Sequence, residues 1–419
     1  MRSSWTKETV GSLVKRGVLA RPMDGNHGEI HPKSGDFVSY GIPFITASDL
    51  RDRRVELEGC KFISEEQAYS LRKGFSVAGD VLLSHKATLG RVAMVPELDT
   101  PFVVLTPQVT YYRVLDQDVL KREYLRYYLT SSAFQNELLA HSTGSTRGYI
   151  SINRQTPLPI LLPPLPEQRR IAAVLGALDD KIELNRKMNR TLEEMAQAIF
   201  KSWFIDFDGV PDSEMVDSEL GRIPKGWEVR PLDAVADFLN GAACQKYRPS
   251  DGAESLPVVK IRELNQGITA KTDRATIDIP KKWWVEDGDV LFSWSGSLVV
   301  KVWTGGRAAL NQHLFKVTSE VYPRWFYLLW TKFHLARFQR IAADKATTMG
   351  HIKRRHLSDA LCVVPPGSTV ERWSATLAPL VQRAVTSELE SRTLAMTRDA
   401  LLPKLISGEL RVPDAEGAP

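Results

Sequence analysis

Apolar residues between positions 163 and 207 recur on a seven-residue step. Ile171, Leu178, Leu192 and Ile199 mark that row, and Asn185 takes its remaining place. A second row one turn along holds Leu175, Ile182, Ala196 and Trp203, with Asn189 as its polar member. Pro163, Pro164 and Pro166 cannot continue a helix but can open one. From 167 to 207 the only Gly or Pro is Gly176. The pattern predicts a long helix whose seam needs a partner helix. At 1.5 Å per residue it spans about 60 Å, longer than one ordinary domain needs. Its mid-chain position makes it a spacer.

Shorter patterns flank it. The runs 42–45, 77–84, 90–95 and 109–114 are β-branched and aromatic, as strands are. Residues 121–139 carry Tyr124, Leu125, Tyr128, Leu129 and Phe134 at helical spacing. A polar loop, 141–148, and a short run, 150–162, complete a mixed α/β segment. Beyond the spacer, the Gly-, Pro- and Ser-containing stretch 209–227 marks a boundary.

The second half repeats the first. Ile42-Pro43-Phe44 returns as Leu256-Pro257-Val258, and Gly79-Asp80-Val81-Leu82-Leu83-Ser84 as Gly288-Asp289-Val290-Leu291-Phe292-Ser293. The aromatic helix from Tyr124 returns at Trp325, the loop 145–150 at 347–352, and Pro163-Pro164 at Pro365-Pro366. Ile171, Leu178, Asn185, Leu192 and Ile199 fall on Trp373, Leu380, Ser387, Leu394 and Leu401. A fixed order of matches at a fixed offset is an internal repeat. The predicted domains are 1–162, a spacer helix 163–210, a second domain 211–366, a second spacer helix 367–412, and a tail 413–419. The fold class is mixed α+β: two pseudo-symmetric α/β domains separated by two long helices forming an antiparallel coiled coil. Asn185 near Ser387 would help fix its register. Pro379 and Pro403 are expected to kink the second helix or mark its ends.

Composition narrows the chemistry. The 419 residues, 43% hydrophobic and 25% charged, are ordinary for a soluble globular protein of two to four domains. A net charge of +5 permits a polyanionic partner without demanding one. Cys60, Cys244 and Cys362 form no CxxC or Cys/His ligand spacing, so a reducing compartment and no zinc are expected. No apolar run reaches spanning length and the N-terminus lacks an apolar signal region, so the expected location is cytoplasmic, without a membrane partner. Dinucleotide, P-loop, HExxH and GxSxG motifs are absent, as is the Asp/Asn-Pro-Pro-aromatic tetrapeptide of amino-methyltransferases. Asp179-Asp180 reads as exposed helix surface. The chain is expected to be non-catalytic and to bind no cofactor or metal of its own.

Particular stretches resemble one family. Leu165-Pro166-Glu167-Gln168-Arg169 precedes the central helix, and Leu178-Asp179-Asp180-Lys181-Ile182-Glu183-Leu184-Asn185 lies within it. Ile223-Pro224-Lys225-Gly226-Trp227-Glu228-Val229 opens the second domain, and Arg398-Asp399-Ala400-Leu401-Leu402-Pro403-Lys404-Leu405-Ile406-Ser407-Gly408-Glu409 ends the chain. Together with Asp24-Gly25-Asn26-His27-Gly28, they resemble the specificity subunit of type I restriction–modification systems. The second repeat departs from the pattern, with Gly367-Ser368-Thr369-Val370 in place of Leu-Pro-Glu-Gln. The resemblance implies two target recognition domains, each reading half of a split double-stranded DNA sequence. It implies helices that set the spacing and dock two methyltransferase subunits, with restriction (motor–nuclease) subunits joining the assembly. S-adenosylmethionine, ATP and Mg would then belong to the partner subunits. A coiled-coil scaffold whose α/β domains bind proteins, or DNA without sequence preference, is the alternative.

Candidate DNA contacts follow from donor and acceptor chemistry, with Lys and Arg for phosphates and paired donors and acceptors for base edges. For phosphates they are Thr146 and Arg147 in the first repeat and Thr347, Thr348, His351, Lys353, Arg354 and Arg355 in the second. For bases they are Ser84, His85, Lys86 and Gln108, and, in the second repeat, Trp294, Ser295, Asn311, Gln312 and His313. The Trp-rich runs 283–284 and 325–330 are read as core.

Overall fold

A computed structural model describes residues 5–51, 53–143, 148–344 and 350–413. The chain forms two compact units, Met1–Asp180 together with Leu394–Pro419, and Lys181–Thr393.

In the first unit, strand Val81–Ser84 pairs antiparallel with Val92–Met94 on one side and Val109–Tyr112 on the other. These three strands centre a six-stranded sheet, and their all-buried Val and Leu residues show why the short runs persist as strands. A second, five-stranded sheet is built on Ile42–Ile45, which runs parallel to Val103–Leu105. Lys61–Ile63 pairs antiparallel with Ile42–Ile45, and Phe44 faces Lys61. Thr6–Thr9 pairs with Pro159–Leu162, tying the start of the unit to the entry of the central helix. The single helix expected over 121–139 is two, Arg122–Thr130 and Ser132–Ala140. Ser131 takes an extended conformation between them, and its hydroxyl caps the second at Phe134 N.

The second unit repeats this plan. Val290–Ser293 lies between Val300–Val302 and Leu314–Thr318, and Ser255–Val259 runs parallel to Ala308–Leu310. Glu228–Pro231 pairs with Leu361–Val364 as Thr6–Thr9 does with its strand. The equivalent helix is continuous here, Arg324–Ala343. Its Trp325 and Trp330 are each 1% exposed, so the tryptophan-rich run is core.

The central helix, Leu165–Lys201, and the C-terminal helix, Gly367–Ser407, pair antiparallel within each unit. In the first unit, Ile171 and Leu175 share a core with Leu402, Leu405 and Ile406, and Asp179 meets Arg398. In the second, Asn185 meets Ser387 and Ser391, and Trp203 stacks on Trp373 with ring centroids 4.5 Å apart. Leu175, Ile182, Ala196 and Phe200 are buried, as are Leu377, Val385 and Leu402. Leu178, Leu192, Ile199, Leu380, Leu394 and Leu401, on the predicted seam, are half-buried beside them. Asn185 and Ser387 are fully buried. The C-terminal helix neither stops nor starts at a proline: it continues through Pro379 and Pro403 to Ser407. Asp179 is likewise not surface. It is 5% exposed and receives hydrogen bonds from Tyr127 and Arg398.

Candidate nucleic-acid interface

Three loops converge in the first unit. The segment after Met23–Asp24, the turn after Val81–Ser84 and the connection 106–108 are held together by backbone hydrogen bonds. Gly25 N donates to Thr106 O (3.3 Å), His85 N to Gln108 O (2.9 Å), and Ile150 N to His85 O (3.1 Å). A side chain at position 25 has no room, because an added Cβ would sit 1.7 Å from the Leu105 carbonyl oxygen. The glycine is there for close approach of two backbones.

A buried polar relay supports the loops from behind. Tyr112 Oη donates to Gln155 Oε1 (2.7 Å), and Gln155 Nε2 donates to Thr110 Oγ1 (3.2 Å) and to the Ile150 carbonyl (3.4 Å). The Thr110 hydroxyl also hydrogen-bonds His85 Nδ1, 2.6 Å away. His85 Nε2 faces Asp24 Oδ2 at 3.9 Å. Burial pulls the His85 pKa down to about 4, consistent with a neutral ring. Burial pushes the Asp24 carboxyl upward, but hydrogen bonds from Lys73 and His27 outweigh it and hold the pKa below its ordinary value. His27 Nε2 lies 2.8 Å from Asp24 Oδ2, so the buried carboxylate presents an exposed imidazole at the loop surface.

The second unit builds the same cluster from different side chains. Trp294 N donates to His313 O (3.3 Å), Ile352 N to Trp294 O (3.0 Å), and Asn311 N to Val259 O (3.1 Å), as Thr106 N does to Ile45 O. Ser293 Oγ accepts from Val299 N (2.8 Å) as Ser84 Oγ accepts from Arg91 N (2.8 Å). Gly241 answers Gly25, with an added Cβ 2.2 Å from the Asn311 carbonyl oxygen. Asp24 is matched by Asn240, whose Oδ1 accepts from Trp294 Nε1 at 3.0 Å. Ser295 Oγ lies 3.0 Å from His313 Nδ1.

These contacts sort the predicted residues. Ser84, His85, Ser295 and Asn311 are buried and shape the loops from within. Gln108, Trp294, Gln312, His313 and His351 are half-exposed, and Lys86, Lys353, Arg354 and Arg355 are exposed. Arg354 also donates to the Phe238 carbonyl (3.0 Å). Lys86 and Tyr149 form a β-bridge, as do Ser295 and His351, which brings the loop at 149–151 and its repeat to the same cluster. Thr146, Arg147, Thr347 and Thr348 lie outside the described residues.

Sequence reasoning missed His31, Thr46, Lys61 and Thr106. With His27, Lys86 and Gln108 they line a cleft of about 380 Å³ in the first unit. Thr106 had a signal, since it aligns with Asn311. Lys61 had none, because it arrives by strand pairing opposite Phe44. Among the described residues no group of three or more His, Cys, Asp or Glu side chains is placed to hold a metal ion. The three cysteines are buried thiols, and burial pushes Cys60 and Cys244 up to about 11. No helix of the described residues is long and apolar enough to cross a membrane.

Comparison with known proteins agrees with this architecture. Residues 26–194 match the type I restriction modification DNA specificity domain. The chain is 27% identical over 384 residues to the type I restriction enzyme MjaIX specificity subunit of Methanocaldococcus jannaschii, covering 88% of this chain and 87% of that one. It is 22% identical over 452 residues to the HindI specificity subunit of Haemophilus influenzae, covering 90% and 96%. The crystal structure of a type I restriction–modification S subunit from M. genitalium shares the fold, with a TM-score of 0.55 at 13% identity over 96% of both chains.

Proposed function

We propose, from the premise that this chain belongs to the family of type I restriction–modification specificity subunits, that each unit reads one half of a bipartite duplex DNA target. The observation that carries this reading is the repeated loop cluster. Its backbone hydrogen bonds recur in both units, while the side chains it presents differ: His85 against Trp294, Lys86 against Ser295, Gln108 against His313, Tyr149 against His351. One scaffold with two sets of donors and acceptors suits two unlike half-sites.

The helix pair sets the gap between half-sites and docks two methyltransferase subunits. Leu184, Met188 and Met195 recur at helical spacing on the central helix, with Leu184 and Met195 exposed. Such a strip favours a protein partner. S-adenosylmethionine is bound by those subunits, and ATP and Mg by the restriction subunits. This chain supplies recognition and no catalysis.

The test is to map methylated adenines on random duplex DNA treated with the chain assembled with its methyltransferase subunits. The expected motif is two short fixed sequences separated by a gap of constant length. Methylation without sequence preference overturns the reading. Lengthening both helices by two turns should lengthen the gap and leave each half unchanged. An unchanged gap overturns the spacing role.

A further inference from the structure

We infer that the two units grip DNA phosphates from different places on the same loop cluster. In the first unit, the cleft between Lys61 and Lys86 holds a backbone phosphate and sets Gln108 against the neighbouring base. In the second, that position is closed to phosphate and the grip falls to Lys353, Arg354 and Arg355. The inference rests on the half-site reading above and adds where each half is held.

The first argument is charge. No Asp or Glu lines the cleft of the first unit, whereas Lys61, Lys86, His27 and His31 do. Neither lysine has a carboxylate partner among the described residues; each lies over an aromatic ring instead. Lys61 Nζ is 4.3 Å from the Phe37 ring centroid, and Lys86 Nζ is 6.0 Å from that of Tyr149. Rings beneath the ammonium groups hold them at the cleft without neutralising them. The second argument is an unmet hydrogen-bonding group. Thr106 is 5% exposed, contributes to the wall, and its hydroxyl has no partner. A buried hydroxyl left unpaired is costly unless a ligand satisfies it.

The repeat supplies the control. Strand register places Asp273 where the first unit has Lys61, since Val258 N donates to Asp273 O just as Phe44 faces Lys61. By the same register Lys260 stands at the position of Thr46, and Lys260 and Asp273 pair with each other. Lys86 is replaced by Ser295. The second unit has thus lost both cleft cations by substitution, and the lysine it gains there, Lys260, is neutralised by Asp273. Among the described residues Lys353, Arg354 and Arg355, after Ile352, have no carboxylate partner, where the first unit carries Ser151, Ile152, Asn153 and a single Arg154.

Salt dependence tests this directly, using the full chain in its assembled complex and duplexes with the mapped target or with either half scrambled. Each phosphate contact contributes roughly 0.9 to the slope of log affinity against log salt. K61A/K86A should lower that slope by about one while scrambling the second half still abolishes specific binding. D273N should free Lys260 and steepen the slope by about one. If K61A/K86A leaves the slope unchanged while the native complex still discriminates both halves, the cleft grip is wrong and half-site reading stands. If the native complex discriminates neither half, the reading and this inference fall together.

Discussion

Asp179 on the central helix accepts a hydrogen bond from Arg398 on the C-terminal helix at 2.6 Å, in surroundings that leave both side chains largely buried. Tyr127 Oη donates to the same carboxylate at 2.7 Å, and Arg126 lies 3.2 Å from it. Arg54 donates to the Asp179 backbone carbonyl, and Arg53 pairs with Asp399 at 2.6 Å. The helix pair of the first unit is thus bolted to its α/β body through one carboxylate. D179A strands two buried guanidinium groups and should cost about 3–5 kcal/mol by chemical denaturation. Burial pushes the Asp179 carboxyl upward, but Arg398, Tyr127 and Arg126 together hold it below its ordinary value. Its contribution is therefore present above about pH 4 and lost as pH falls through the lowered value. An acid titration of D179N should lack that loss.

His85 in the first unit and His334 in the second are both buried. Burial pulls both His85 and His334 down to about 4, and His334 Nε2 donates to the Leu361 carbonyl at 3.0 Å. Between about pH 6.5 and 4 the unfolded chain binds a proton at these positions and the folded chain does not. Stability should fall on acidification across that window, by on the order of 3 kcal/mol for each histidine. Thermal melts at stepped pH check this, and H334Q should flatten the dependence for the second unit only.

Gly25 and Gly241 offer a way to disturb one unit at a time. G25A drives a methyl group into the Leu105 carbonyl and should cost about 1–3 kcal/mol while displacing the loop that carries His27. Methylation mapping should then show relaxed preference in one half of the target. G241A should relax the other half, and identical effects from both would contradict independent reading.

Lys353, Arg354 and Arg355 are exposed, so replacing them with alanine should cost little stability beyond the Arg354 hydrogen bond to the Phe238 carbonyl, about 1 kcal/mol. Filter binding across a salt series should show a slope reduced by about two to three, with weakening spread evenly over target and non-target sequences.

The sequence by itself determined the repeat, the long paired helices and the central strands, because heptad spacing and β-branched runs are local patterns that one chain displays in full. Polar side chains were less legible. Asp179 and Asp180 are neighbours in sequence, yet the rotation of about 100° per helical residue buries the first and exposes the second. Ser84 and His85 stand at a strand end where an exposed reader would also stand, and only the relay through Thr110 and Gln155 turns His85 inward. Lys61 reaches the cleft through pairing with a strand nearly twenty residues earlier, and Asp273 neutralises Lys260 by the same register. Local pattern chose the elements. Long-range pairing chose which charges face outward, because a polar group's exposure depends on what the rest of the chain brings against it.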